Sequence, residues 1–270
     1  LAGLLDDGAL ADWAETVGRA AGPLDLRLHL EGKAGADEVR LGVGGRAAGG
    51  TLRLDGTWTG RVDDPRHAGV GVLLALDGGR LDPALIALVG GLPGDRLALA
   101  GSLGGRAVDG LRFDLTATAG DRRAHLAGTT LAPDGAAAVT DLTVDLASPD
   151  LPLLATLIGR PGLAYERRLP LTLRLAARGG AAGWDVGDLA ATFGDARLGA
   201  AGRLDLAGRR RGAGAARLDE ADLDLLADWA VASGPGRLVR FADLDVAVSV
   251  ERLAVGAGEA RAVAARLLDG

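Results

Sequence analysis

Two periodicities take turns along the chain. Leu24, Leu26, Leu28 and Leu30 alternate with Asp25, Arg27, His29 and Glu31. Leu169, Leu171, Leu173 and Leu175 repeat that pattern. Shorter alternations run through Leu52/Leu54/Trp58, Val70/Val72/Leu74/Leu76, Leu111/Phe113/Leu115, Leu142/Val144/Leu146, Leu204/Leu206 and Leu244/Val246/Val248/Val250. A period of two puts one side of a strand in an apolar layer and the other in water. Gly, Asp or Pro bounds the runs, as at residues 77–79, 133–135 and 178–180, so a meander of antiparallel strands joined by short turns is expected. Gly56, Gly101, Gly128 and Gly202 fall inside the runs and are expected to place bends and bulges.

The second period is that of a helix. Leu10, Trp13, Ala14 and Val17 fall on one helical face, as do Leu85, Leu88, Val89 and Leu92, and again Leu153, Leu154, Leu157 and Ile158. Aspartates precede these segments at Asp6, Asp82, Asp150 and Asp222, where a carboxylate caps free backbone N–H groups. Pro83 and Pro152 stand in the first turn, and Gly-Pro or Pro-Gly pairs follow each segment. The pentapeptide at residues 10–14 returns unchanged at 226–230, a separation of three times 72 residues, and Gly18, Gly90, Gly159 and Gly234 close successive copies at steps of 72, 69 and 75. A fixed period of this size marks stacked supersecondary units. The expected units are residues 6–80, 81–148, 149–219 and an incomplete 220–270, each with one short amphipathic helix and several strands. Together they predict one mainly β domain, an elongated, curved antiparallel sheet shaped as a groove, with Trp13 and Trp229 holding helices on the sheet.

Composition narrows what such a sheet does. The net charge of −6 argues against nucleic acid, which needs a basic stripe to release counterions. The basic run Arg209-Arg210-Arg211 lies between Gly208 and Gly212 and reads as a solvated turn. With no Cys in the chain, disulfides and thiolate chemistry are excluded. No run of about 18 apolar residues is present to span a bilayer. The chain opens without Met and is expected to be a piece of a longer protein, with any anchor or targeting segment outside it. Apolar content is 48% but aromatics only 3%, so the apolar face is built from Leu, Val and Ala.

The cassette of an aspartate-led short helix followed by alternating strands resembles the AsmA-like family of bacterial envelope proteins. The segments at residues 82–90 and 148–159 look like the family's helix insertions, and those at 24–32 and 96–104 look like its strands. The resemblance covers essentially the whole chain and is one of cadence rather than of a diagnostic motif. It implies a long β-sheet folded into an apolar groove, standing in the periplasm of a Gram-negative cell and attached to the inner membrane by a segment outside this chain. It further implies a role in outer-membrane biogenesis and phospholipid movement, with phospholipid or another acyl lipid and envelope proteins as partners. The family has no catalytic residues to carry over.

The residues themselves point to no enzyme, metal or cofactor. His29, His67 and His125 are scattered, without ligand spacing. Ser102, Ser148, Ser233 and Ser249 never stand in a nucleophile elbow. Asp63-Asp64-Pro65 is expected to be a turn, and the glycines at 42–45 and 212–214 are expected to be hairpin turns rather than phosphate loops. The candidate lipid-binding groove is the apolar strand face: Leu52, Leu54, Trp58, Leu97, Leu99, Leu111, Phe113, Leu115, Leu171, Leu173, Phe193, Val246 and Val248. An under-covered face of this kind attracts acyl chains or an apolar partner. The alternative is a self-filled sheet, a structural or scaffolding β-repeat protein acting through protein–protein contact at its edge strands.

Overall fold

The computed structural model describes residues 25–32, 38–47, 49–61, 64, 66–79, 96–133, 136–149, 170–193, 196–206, 211–222, 243–255 and 257–269. They form fourteen strands: β1 (Asp25–Gly32), β2 (Glu38–Ala47), β3 (Gly50–Thr59), β4 (Gly69–Gly79), β5 (Leu97–Arg106), β6 (Gly110–Ala119), β7 (Arg122–Leu131), β8 (Val139–Ser148), β9 (Leu171–Gly180), β10 (Gly183–Phe193), β11 (Ala196–Asp205), β12 (Arg211–Asp222), β13 (Asp243–Val255) and β14 (Gly258–Asp269). The mainly β class read from the alternation is what the structure shows. Among the described residues there is no helix; the four expected helices, with Trp13 and Trp229, lie outside the described residues. Four strands precede residue 80, four run from 97 to 148, four from 171 to 222, and two follow.

The chain divides into two compact units, Leu1–Ala138 and Val139–Gly270, and the division falls between β7 and β8. Within each unit the strands lie side by side in chain order, and the end strands do not pair to close a barrel. Pairing is antiparallel, with one exception. β12 and β13 run parallel, Gly214 beside Val246 and Leu218 beside Val250, which corrects the uniform meander expected from sequence. Parallel neighbours need a crossover of a dozen or more residues, and residues 223–242 are long enough to supply one. Length alone does not dictate it, because β4 and β5, separated by residues 80–96, pair antiparallel.

Two further corrections concern glycine. Residues 42–45 and 212–214 are not hairpin turns: they lie inside β2 and β12, each paired on both sides. Turn chemistry is overruled there because Val43 in β2, and Ala216 and Leu218 in β12, keep the two-residue phase. Nor do Gly56, Gly101, Gly128 and Gly202 carry bulges, since the register runs through them unbroken. The shifts fall elsewhere, between Leu76 and Gly79 against β5 and around Gly187 in β10.

The core is small, and its buried leucines lie at one end of the strands, while Ala68, Ala107 and Ala132 are buried at the other end of the first unit. In the first unit Leu76, Leu97 and Ala117 are buried, with Leu52, Leu99 and Ala124 packed on them. In the second, Leu171 is 1% exposed and Ala191 3%. Both clusters sit where β4–β5 and β8–β9 lead to and from residues 80–96 and 149–170.

Charged rungs bridge the strands of the second unit. Arg174 pairs with Asp145, Arg178 with Asp141, and Arg203 with Asp185. Arg217 pairs with Glu251, Arg252 with Glu220, and Arg266 with Asp245. The Thr172 and Thr192 hydroxyls lie 2.6 Å apart, and the Arg197 N–H donates to Asp219 Oδ1 at 2.6 Å, so each neighbouring pair of strands has a polar tie. Every ion pair is exposed, so solvent screening leaves each one little stabilising effect. They fix register more than they add stability.

Two expected outcomes follow for stability. Leu97→Ala should cost roughly 2–5 kcal/mol in urea unfolding by opening a cavity, whereas exposed Arg53→Ala should stay within about 0.5 kcal/mol. Gly105→Ala should also destabilise, because φ is +119° there and a Cβ would run into the Gly110 carbonyl oxygen; Gly44→Ala, with open space above it, should not. The Arg266 guanidinium hydrogen-bonds Asp245 and holds its carboxyl below the ordinary value of 3.8. A carboxylate held low in the folded state stabilises above its unfolded pKa, and that contribution is lost as the pH falls from about 3.8 through the lowered value. NMR titration should find Asp245 below an ordinary aspartate, and Arg266→Gln should return it to the usual range.

Candidate functional site

Backbone pairing turns the alternation into a surface. Four successive rows cross the seven strands of the first unit from β1 to β7. They are Leu26-Gly45-Leu52-Leu76-Leu99-Ala117-Ala124, Leu28-Val43-Leu54-Leu74-Gly101-Leu115-Leu126, Leu30-Leu41-Gly56-Val72-Leu103-Phe113-Gly128, and Gly32-Val39-Trp58-Val70-Gly105-Leu111-Thr130. None of these positions carries a charge. Next to the first row, Leu97 pairs with Ala119 and Ala119 with Arg122, which is 5% exposed.

The second unit repeats the arrangement over β8 to β14. Leu146-Leu173-Ala191-Leu198-Leu218-Val250-Val263 forms one row and Val144-Leu175-Leu189-Ala200-Ala216-Val248-Ala265 the next. A third row runs from Leu142 through Ala177, Val186, Gly202 and Gly214 to Val246. Beyond Leu218 and Val250 the file turns polar, at Glu220 and Arg252.

The residues chosen from sequence fall on these rows. Leu52, Leu54, Trp58, Leu99, Leu111, Phe113 and Leu115 share one face of the first unit and are half-buried. The Trp58 indole N–H donates to the Gly60 carbonyl at 3.1 Å, so its polar end is satisfied. Leu173, Val246 and Val248 share one face of the second unit and are also half-buried. Phe193 is placed by its backbone, opposite Leu171. Leu97 and Leu171 are closed to solvent, at 3% and 1%. Missing from the choice were Leu41, Val43, Leu103, Leu126, Leu189 and Leu198. Their strands alternate Leu or Val with Gly and Ala, so the period was diluted; only pairing to a Leu-rich neighbour places them.

Exposure along the apolar face is uneven. Leu28 and Leu30 of β1 are 65% and 61% exposed, while their row-mates on β2 to β6 are half-buried or, at Gly56, buried. β2 flanks β1 on one side, and among the described residues no strand flanks it on the other.

The opposite face of the first unit is polar and holds an open depression of ≈ 1340 Å³. Two rows of that face line it, Arg40-Thr57-Gly71-Gly104-Arg112-Thr129 and Gly42-Asp55-Leu73-Ser102-Asp114-Ala127, and the row between them, Leu41-Gly56-Val72-Leu103-Phe113-Gly128, also borders it. Glycines and small side chains make its floor. On its flanks the Arg40 guanidinium hydrogen-bonds Glu38, which together with Glu31 raises its pKa further. His125 contacts Asp114 at 3.2 Å and His67 contacts Asp64 at 2.9 Å. The Asp64 pair belongs to a turn, with the Asp64 N–H donating to the Arg61 carbonyl. Among the described residues no group of three His, Cys, Asp or Glu side chains is placed to hold a metal, and no helix is long and apolar enough to cross a membrane. No known family model, curated protein or solved structure matches the chain.

Proposed function

We propose that this chain is a non-enzymatic lipid-binding protein of the bacterial envelope, in which acyl chains lie along the apolar sheet face and headgroups stay in water. The observation that supports this reading best is the uncharged face itself: four rows across seven strands in one unit and three in the other, most of their side chains half-buried. A contiguous apolar face of this kind is the sort of surface that marks a membrane, ligand or partner site. Hydrocarbon fits it better than water does, at about 25 cal/mol per Å² of apolar surface covered. The AsmA-like cadence of the sequence points the same way, towards a periplasmic protein that moves phospholipid for outer-membrane biogenesis. On this reading transfer is passive, with direction set by partners in the envelope.

A second reading is a scaffolding β-protein acting by protein–protein contact. It is favoured by one observation, that the depression of the first unit is bordered by two polar rows and not by apolar rows alone.

Photo-crosslinking side chains separate the two. Placed at Phe113 and Leu173, on the apolar faces, they should capture phospholipid in cells well above the level seen at Arg112 and Arg174, which point to the opposite faces. Equal capture on both faces, or none, would leave the scaffolding reading standing.

A further inference from the structure

From β1 we infer that the chain forms a two-fold symmetric dimer by antiparallel pairing of β1 with β1 of a second copy. This inference does not rest on the lipid reading. β1 is an edge strand among the described residues, and its eight pairs with β2 run without a bulge. It contains no proline and no lysine, and its one glycine is the last residue. Of the devices by which an edge is normally blunted, β1 thus lacks proline, lysine and a bulge and keeps only the charges of Asp25, Arg27 and Glu31, all on its polar face. The edge at β14 differs: Ala262 has φ +54°, which breaks the extended backbone in mid-strand. Three of the six large apolar side chains that stand exposed among the described residues, Leu26, Leu28 and Leu30, belong to β1 alone.

The sequence of β1 selects both partner and register. Antiparallel pairing about a two-fold axis at His29 sets Leu28 opposite Leu30 and Arg27 opposite Glu31, each twice. Leucines then meet leucines on the apolar face, and opposite charges meet on the polar face. A slip of one residue sets leucines against charged residues and joins unlike faces. A slip of two, centred on Leu28, brings Asp25 against Glu31; the slip the other way, centred on Leu30, loses both Arg27–Glu31 pairs. Within the protomer Arg27 faces Gly44 on β2 and has no ion-pair partner among the described residues. Glu31 faces Arg40 across β2, so in the dimer it would stand between two guanidinium groups. The pairing extends the apolar rows of the first unit directly into those of its copy.

The test uses the chain's own charge code. Analytical ultracentrifugation should find a concentration-dependent dimer. Arg27→Glu and Glu31→Arg should each weaken it by at least about ten-fold, since both symmetric pairs become repulsive. The double variant Arg27→Glu with Glu31→Arg should restore it. Because the chain has no cysteine, His29→Cys should form a disulfide dimer on mild oxidation, while Arg53→Cys on β3 should not. A chain that stays monomeric at about 100 µM, single variants that dimerise like the parent, or a double variant that fails to recover would each overturn the proposal. Far-UV circular dichroism checks that the substitutions, all on exposed positions, leave the strands intact.

Discussion

Each strand of this protein is placed by its neighbour, and the two-residue repeat of the strand makes that placement all or nothing. A slip of one residue anywhere would carry a file of leucines from the apolar face into water and a file of arginines into the apolar layer. The register shifts that do occur protect this phase. In β10 the apolar positions change from even to odd, Trp184 and Val186 giving way to Leu189 and Ala191. The extra residue around Gly187 absorbs the change. In β4 the shift after Leu76 does the same, so that Gly79 and not Gly78 meets Leu97. These bulges keep one face apolar across strands whose sequences fall out of step.

Given that phase, the chemistry of the two faces follows from small residues. One face is Leu, Val, Ala and Gly with few aromatics, so each side chain covers little area and the face is only half-buried along most of its length. Among the leucines described, full burial is reached only at Leu76, Leu97 and Leu171 near the strand ends; the other buried apolar side chains are alanines and Val250. The other face carries arginines that reach across to carboxylates one strand away. Arginine suits that task, because its planar fork holds a carboxylate with directed hydrogen bonds. Individually weak, such pairs penalise wrong registers more than they reward the right one.

Two surfaces therefore compete for the role of functional site. The apolar face offers breadth and hydrophobicity, whereas the polar face of the first unit offers shape, with a floor of Gly71, Gly104 and Ser102 between Arg40 and Arg112. Glycine at Gly44 and Gly104 is not forced by a crowded Cβ or a positive φ. Strand glycines of that kind leave flat backbone where another molecule can approach closely. The leucines of β1 belong to neither description, because they stand at the margin of the apolar face, where a sheet either ends or continues into another chain.

Leu-rich alternation was enough to read β1, β3, β4, β6, β8, β9 and β13 from sequence, along with the mainly β class and the apolar character of the face. Strands β7, β12 and β14 were hidden, because Gly, Ala and Thr fill many of their apolar positions, and β2 because Gly42 and Gly44 remove the polar contrast beside Leu41 and Val43. The same dilution made residues 42–45 and 212–214 look like turns. The amino-acid order thus determined which side of each strong strand avoids water, a property local to a few residues. Pairing decided the rest: that the weak strands join the same rows, that β13 runs parallel to β12, and that Leu97 is core while Phe113 stays half-buried. Those outcomes depend on hydrogen bonds and burial between residues far apart in the chain, and no local period encodes them.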